Sequence, residues 1–249
     1  MFHIKLISII LVLLITIIAG IYPFIKKIKN NEAAQFPIGE SLAAGVFLGA
    51  GLMHMLGDAS QDFYKLHYSY PFASLLTAVM FLFLLWLEHL GREIVETRGE
   101  TSGAFAVLAT LMLSIHAFLM GAALGLSSTF SVAVLLLFAI LAHKWAESFS
   151  LSIQINKSNF SHLINIILFS AFALMTPIGV ICGAAATETL GKMPLLQPIF
   201  SSLAAGTFLY LGTLHGLEKA TLIKQCCDMK RFYFVILGFG IMAVVAIWT

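Results

Sequence analysis

Charged residues are scarce in this sequence. Only 10% of its 249 residues are Asp, Glu, Lys or Arg, whereas 60% are hydrophobic. Because a soluble domain carries about 25% charged residues, the composition excludes a water-soluble protein over most of the length. The formal net charge is only +2 and no basic tail is present, so we expect no nucleic-acid partner.

Cysteines and enzyme motifs are also sparse. Three cysteines are too few for the disulfide framework that stabilises small secreted proteins. The His-Glu-x-x-His element of zinc peptidases does not occur in the sequence. We therefore expect neither enzymatic activity nor a resident cofactor.

Long apolar runs make up most of the chain. A hydrocarbon core of about 30 Å requires roughly 20 helical residues, and the connections between the runs are too short for a soluble domain. We predict an all-α membrane protein with one domain over residues 1–249 and eight transmembrane helices. The predicted spans are Ile4–Ile25, Ile38–Ser60, Pro71–Leu90, Ala104–Leu126, Ser131–Ile155, His162–Thr187, Pro198–Leu222 and Phe232–Trp248.

The distribution of Lys and Arg predicts the orientation, because these residues concentrate in cytosolic loops. With both termini outside, the cytosolic side holds Lys26, Lys27, Lys29, Arg92, Arg98, Lys157, Lys219, Lys224, Lys230 and Arg231. The outer side then holds only Lys5, Lys65 and Lys192. Both termini are therefore predicted to be extracytosolic, in the plasma membrane or in an intracellular vesicle membrane.

An internal repeat links the second and seventh spans. SLAAGVFLGAGLMHML at Ser41–Leu56 and SLAAGTFLYLGTLHGL at Ser202–Leu217 are 161 residues apart and share ten of 16 positions. Small residues alone could match by chance, but the repeat also includes His54 and His215. Spans separated by an odd number of crossings run in opposite directions, which predicts an inverted repeat of helices 1–3 and 6–8 around helices 4 and 5.

Polar residues within the fourth and fifth spans predict a metal site. His116 lies near the middle of the fourth span, and His143 and Glu147 near the middle of the fifth. Residues four apart share a helical face, and two imidazoles with one carboxylate suit Zn²⁺ or a similar ion. A structural alternative is that His116 only donates a hydrogen bond between helices. Glu147 could also neutralise Lys144, although we expect these two side chains not to share a face.

Four segments resemble the motifs of the ZIP (Zrt/Irt-like) family of metal transporters. They are AGVFLGAGLMHMLGDA, HAFLMGAALG, HKWAES and AGTFLYLGTLHGLEK, in the second, fourth, fifth and seventh spans. The resemblance implies transport of Zn²⁺, and in some members Fe²⁺, Mn²⁺ or Cd²⁺, into the cytosol by a homodimer. It also implies that His116, His143 and Glu147 bind the metal and that His54 and Asp58 lie along the route to it.

The sequence departs from the family pattern at two site positions. Met120 occupies a position that is commonly acidic, and it would be either a weak, soft ligand or apolar packing. Lys144 occupies a position that helps to bind a second metal in some members. An ammonium group there would repel a second cation, so we predict one ion per protomer.

These residues suggest a route through the bilayer. An ion would pass Asp58 and His54, bind at the central site and leave past His215 and Glu218. The alternatives are a membrane metal sensor and an intramembrane metalloenzyme, although the latter would need an activated water and a separate base. Gly121 and Gly125 are predicted to allow another helix to approach closely.

Overall fold

The computed structural model describes residues 2–25, 36–98, 102–158, 160–190, 193–217 and 229–248. These ranges are helical apart from short connections. The α-helices are α1 (Phe2–Ile25), α2 (Pro37–Gly49), α3 (Gly57–Lys65), α4 (Phe72–Arg98), α5 (Ser102–Leu126), α6 (Phe130–Asn156), α7 (His162–Leu190), α8 (Leu196–Tyr210) and α9 (Met229–Val245). Two π-helical segments, π1 (Ala50–Leu56) and π2 (Leu211–Leu217), continue α2 and α8 without a break.

Six helical segments of the described chain are long and apolar enough to cross a membrane. They are Phe2–Phe24, Pro37–Lys65, Phe72–Glu93, Gly103–Leu126, Phe130–Asn156 and His162–Thr189, and they correspond to the first six predicted spans. The seventh and eighth predicted spans are represented by α8–π2 and by the 17 residues of α9. Both are helical where described, and their crossing of the bilayer stays a prediction.

Helix α4 extends beyond the apolar run that predicts the third span, Pro71–Leu90. Helix α4 continues to Arg98, and α5 begins at Ser102. No proline interrupts this stretch, and Gly91 alone costs only about 1 kcal/mol in a helix interior. The helix therefore continues past the end of its apolar run, which hydropathy alone does not reveal.

Helices α5 and α7 cross closely through glycines, as Gly121 and Gly125 predict. A Cβ atom added at Gly121 would lie 2.3 Å from the carbonyl oxygen of Thr176, and one at Gly125 would lie 2.3 Å from that of Val180. Only hydrogen atoms fit in this space. The contact holds α7 directly against the helix that carries His116.

The repeat noted in the sequence recurs in the backbone. The segment π1 begins at Ala50 and π2 begins at Leu211, so both π segments start at the same position of the repeat. Helix α2 packs mainly against α9, while α8 packs against both α4 and α5. The repeated segments thus share a backbone form, and their opposite direction in the bilayer stays a prediction.

Candidate metal centre

Helices α5 and α6 bring the three predicted ligands together. Thr129 caps the start of α6 by accepting a hydrogen bond from the backbone N–H of Val132, and the helix then runs unbroken past the site. His143 and Glu147, one turn apart, both point inward, and His116 meets them from α5. All three side chains are at most 1% exposed.

The distances between the ligand atoms suit one small cation. Nε2 of His143 lies 3.3 Å from Oε1 of Glu147, and Nε2 of His116 lies 3.5 Å from the same oxygen. One ligand atom from each of the three residues can be chosen so that all lie within 4.8 Å of one another. Ligands of a tetrahedral zinc ion at about 2.0–2.2 Å are roughly 3.3–3.6 Å apart. The three groups therefore converge closely enough to bind a single ion.

Several imidazole nitrogens at this site lack a hydrogen-bond partner. Within the described chain, this is true of Nε2 of His116 and of both ring nitrogens of His143. Buried polar atoms are nearly always hydrogen-bonded, and exceptions need an explanation. A bound metal would satisfy both Nε2 atoms, which lie 3.3 Å (His143) and 3.5 Å (His116) from Oε1 of Glu147.

His116 is held in place by α8, which the sequence reasoning missed. The ring of Phe208 stacks on it with centroids 3.7 Å apart and an interplanar angle of 12°. The hydroxyl group of Thr207 lies against Nδ1 of His116. Phe208 also meets Phe47, its repeat counterpart, with ring centroids 5.0 Å apart. The signal available in the sequence was the repeat itself, which places both phenylalanines at the same position.

Lys144 corrects one of the sequence expectations. Its Nζ lies 2.8 Å from Oε2 of Glu147, so the two side chains do share a face. Residues three apart on a helix are neighbours, and the expectation that they face apart was wrong. The ammonium group also donates to the hydroxyl of Thr176 at 3.1 Å and lies 4.4 Å from the ring centroid of Phe172. Lys144 therefore binds one oxygen of Glu147 while the imidazoles face the other.

A cavity of about 510 Å³ adjoins the proposed route. His54, Asp58 and Met120 line it, together with Asp62. Nδ1 of His54 lies 2.7 Å from a carboxylate oxygen of Asp58. A cation in this cavity would therefore meet the carboxylates of Asp58 and Asp62 and the side chain of Met120. Met120 lies one helical turn after His116 on α5.

The two other predicted pathway residues, His215 and Glu218, lie at and beyond the edge of the described chain. The backbone of His215 lies in π2, and its side chain is not among those the structure describes. Glu218 lies outside the described residues. An exit past these two residues stays a prediction.

A second buried carboxylate escaped the sequence reasoning. Glu88 on α4 is 5% exposed, and Tyr210 at the end of α8 is fully buried. The phenol O–H of Tyr210 donates to one oxygen of Glu88, and Arg92 donates to the other at 2.6 Å. Glu88 and Tyr210 are 122 residues apart in the chain. No local sequence pattern therefore indicates that they are in contact.

Comparison with known proteins gives a consistent family match. The family described as ZIP Zinc transporter matches residues 2–104 and 99–246. The mouse protein "Zinc transporter ZIP2" is 27% identical, with 95% of each chain covered. "Zinc transporter 11" of Arabidopsis thaliana is 28% identical over 98% of this chain and 85% of its own. "Zinc transporter ZIP1" of Takifugu rubripes is 36% identical over 55% of this chain and 45% of its own.

Proposed function

The chain belongs to the ZIP zinc transporter family, and from that premise we propose that it carries Zn²⁺ into the cytosol from the extracellular or luminal side. It is an integral, multi-pass membrane protein and a divalent metal transporter. It is not an enzyme, so the metalloenzyme alternative is set aside. Fe²⁺, Mn²⁺ and Cd²⁺ are further candidate substrates.

The convergence of His116, His143 and Glu147 carries this proposal. These are the three residues proposed to bind the transported ion near mid-membrane. Their burial and their mutual distances within 4.8 Å support this assignment. Two neutral imidazoles and one carboxylate provide nitrogen and oxygen ligands that zinc accepts. Only three of the proposed ligands are strong, and Met120 would be a weak fourth, which would favour release of the ion.

The proposed path begins at the cavity lined by Asp58 and His54 and ends past His215 and Glu218. On this proposal the chain forms one domain over residues 1–249, with eight spans, an inverted repeat and both termini extracytosolic. A homodimer in the plasma membrane or in a vesicle membrane is the proposed assembly. The Lys and Arg distribution and the π segments at matching repeat positions support the orientation and the repeat.

Lys144 limits the site to one ion in this proposal. Its ammonium lies 2.8 Å from Glu147, close to where a second cation would share that carboxylate. Repulsion between like charges at such distances is strong in a buried site. Met120 is a further proposed ligand, because its side chain is buried and borders the cavity one turn from His116.

Zinc flux into liposomes tests the function. Wild-type protein should carry zinc to an enclosed fluorescent indicator. His143→Ala should reduce the flux below about a tenth, because even loss of a supporting residue around a metal typically costs about tenfold or more. His162→Ala is the matched control, since His162 is exposed at the start of α7. Equilibrium dialysis of the same preparations should find one zinc ion per chain.

The role of Glu147 is tested by substituting Glu147 and Lys144 together. Glu147→Gln alone would leave the buried ammonium of Lys144 without its carboxylate, which can cost about 3–5 kcal/mol. The double variant Lys144→Met with Glu147→Gln removes both charges, and it should fold but carry little zinc. Wild-type flux in this variant and in His143→Ala would refute the site. Binding without flux in the wild type would instead identify a metal sensor.

A further inference from the structure

Thr207 is the polar contact of His116 on the side of the ring away from Glu147. Thr207 is fully buried on α8, and its hydroxyl oxygen lies against Nδ1 of His116. The carbonyl oxygen of Ala204 lies 3.3 Å from the same nitrogen. Nδ1 therefore faces two oxygens from one turn of α8.

One hydrogen-bond pattern satisfies both oxygens around Nδ1. The hydroxyl oxygen of Thr207 lies 2.6 Å from the carbonyl oxygen of Ala204, to which its single hydrogen can be donated. The hydroxyl then accepts from His116, and a carbonyl oxygen can never donate. In this pattern a neutral His116 carries its hydrogen on Nδ1. Its lone pair is then on Nε2, which lies 3.5 Å from Oε1 of Glu147.

We propose that Thr207 is a positioning residue that fixes the tautomer and the ring direction of His116, so that Nε2 is ready to accept a divalent cation. This inference rests on the proposed function, because it assigns Thr207 a role at the same site. A metal-bound histidine usually donates its other ring N–H to an oxygen, which sets its tautomer and raises its basicity. The stacked ring of Phe208 restrains the plane of the same imidazole.

The arrangement is specific to one copy of the repeat and to one of the two histidines. Val46 is the repeat counterpart of Thr207 and has no hydroxyl group. Nδ1 of His143 has no hydrogen-bond partner within the described chain. Of these two histidines, His116 therefore has the oxygen contacts at Nδ1, while both rings contact Phe208, that of His143 edge-on with centroids 4.9 Å apart.

Zinc binding by purified protein provides the first test. Thr207→Val keeps the shape of the side chain but removes the oxygen that accepts from Nδ1. Its zinc affinity should fall by about tenfold to a hundredfold, and the zinc concentration for half-maximal flux should rise accordingly, with little change at saturation. Thr207→Ser retains the hydroxyl and should stay near wild type. Thr110→Val is the matched control, because Thr110 is buried on the same helix as His116 and bonds only the carbonyl oxygen of Ala106.

The tautomer itself gives a readout that does not depend on transport. In metal-free protein with ¹⁵N-labelled histidine, the ring nitrogens of His116 can be assigned by their loss in His116→Asn. Wild-type protein should carry the hydrogen on Nδ1, and Thr207→Val should increase the population with hydrogen on Nε2. If wild-type His116 carries it on Nε2, the inference is overturned, even if Thr207→Val fails to fold.

The outcomes for His143→Ala separate the two proposals. If His143→Ala binds and carries zinc like the wild type, the proposed function fails. If His143→Ala loses zinc binding but Thr207→Val keeps wild-type affinity and the same tautomer population, only the role of Thr207 fails.

Discussion

The two copies of the repeated segment have the same backbone form but different chemical roles. In Ser41–Leu56 and in Ser202–Leu217, an α-helix changes to a π-helix at the same position. The first copy places His54 at the cavity. The second places Thr207 and Phe208 against His116. A repeated backbone therefore supports two tasks, bordering the cavity and contacting His116, and of the side chains involved only Thr207 has a different residue, Val46, at its counterpart.

Among the matched positions of the two copies, side-chain size differs most between Gly49 and Tyr210. Tyr210→Ala should lower the free energy of unfolding by about 3–5 kcal/mol, as truncation of a buried aromatic side chain typically does. Tyr210→Phe keeps the ring but removes the donor to Glu88, and should cost about 1–3 kcal/mol. Unfolding of purified protein in detergent measures both. Equal losses would show that the phenol O–H contributes most of the stabilisation, against the present interpretation.

Gly45 and Gly206 occupy the same position in the two copies, and each lies against the backbone of another helix. A Cβ atom at Gly45 would lie 2.0 Å from the carbonyl oxygen of Val235 on α9, and one at Gly206 would lie 2.4 Å from that of Thr77 on α4. Gly45→Ala and Gly206→Ala should each destabilise the protein by about 1–3 kcal/mol through overpacking. The matched control is Gly240→Ala on α9, where an added Cβ meets no atom of the described residues within 4 Å. Thermal unfolding should leave the control unchanged or stabilised, and a clear difference between the first two variants would argue that the crossings are not equivalent.

The smallest effect is expected at Val46, the counterpart of Thr207. Val46→Thr adds a buried hydroxyl group that can bond a carbonyl of the preceding helical turn, so it should avoid the full cost of about 1–3 kcal/mol for an unpaired buried hydroxyl. Zinc affinity should stay at the wild-type value, because Val46 is not among the residues that contact a ligand nitrogen. Titration of purified protein with zinc measures this. A loss of zinc affinity as large as that expected for Thr207→Val would mean that both copies of the repeat help to position a metal ligand.

Much of the site could be predicted from local spacing. His143 and Glu147 are one helical turn apart, so any helix through this segment places them on one face. Residues three apart on a helix are also neighbours. The spacing of Lys144 and Glu147 therefore predicts their contact, contrary to the expectation that they face apart. The approach of α7 was likewise readable from Gly121 and Gly125, because only glycine lets backbones come so close.

Other features depend on contacts that no short sequence window contains. A π-helix has more residues per turn than an α-helix. A hydrophobic pattern with a period of 3.6 residues therefore does not indicate where the π segments lie. The roles of Thr207 and Glu88 require partners about ninety and more than a hundred residues away in the chain. Hydrophobic length also does not mark the end of α4, which continues to Arg98 after its apolar run ends.

The sequence by itself determined the membrane class, the helical segments, the repeat and the three proposed ligands, because hydrophobic length and helical period act over neighbouring residues. Only the tertiary structure decided which oxygens face Nδ1 of His116, which oxygen of Glu147 faces the imidazoles and which copy of the repeat contacts His116. Those properties depend on hydrogen bonds and ring contacts between distant helices, and their geometry is set only when the helices pack together.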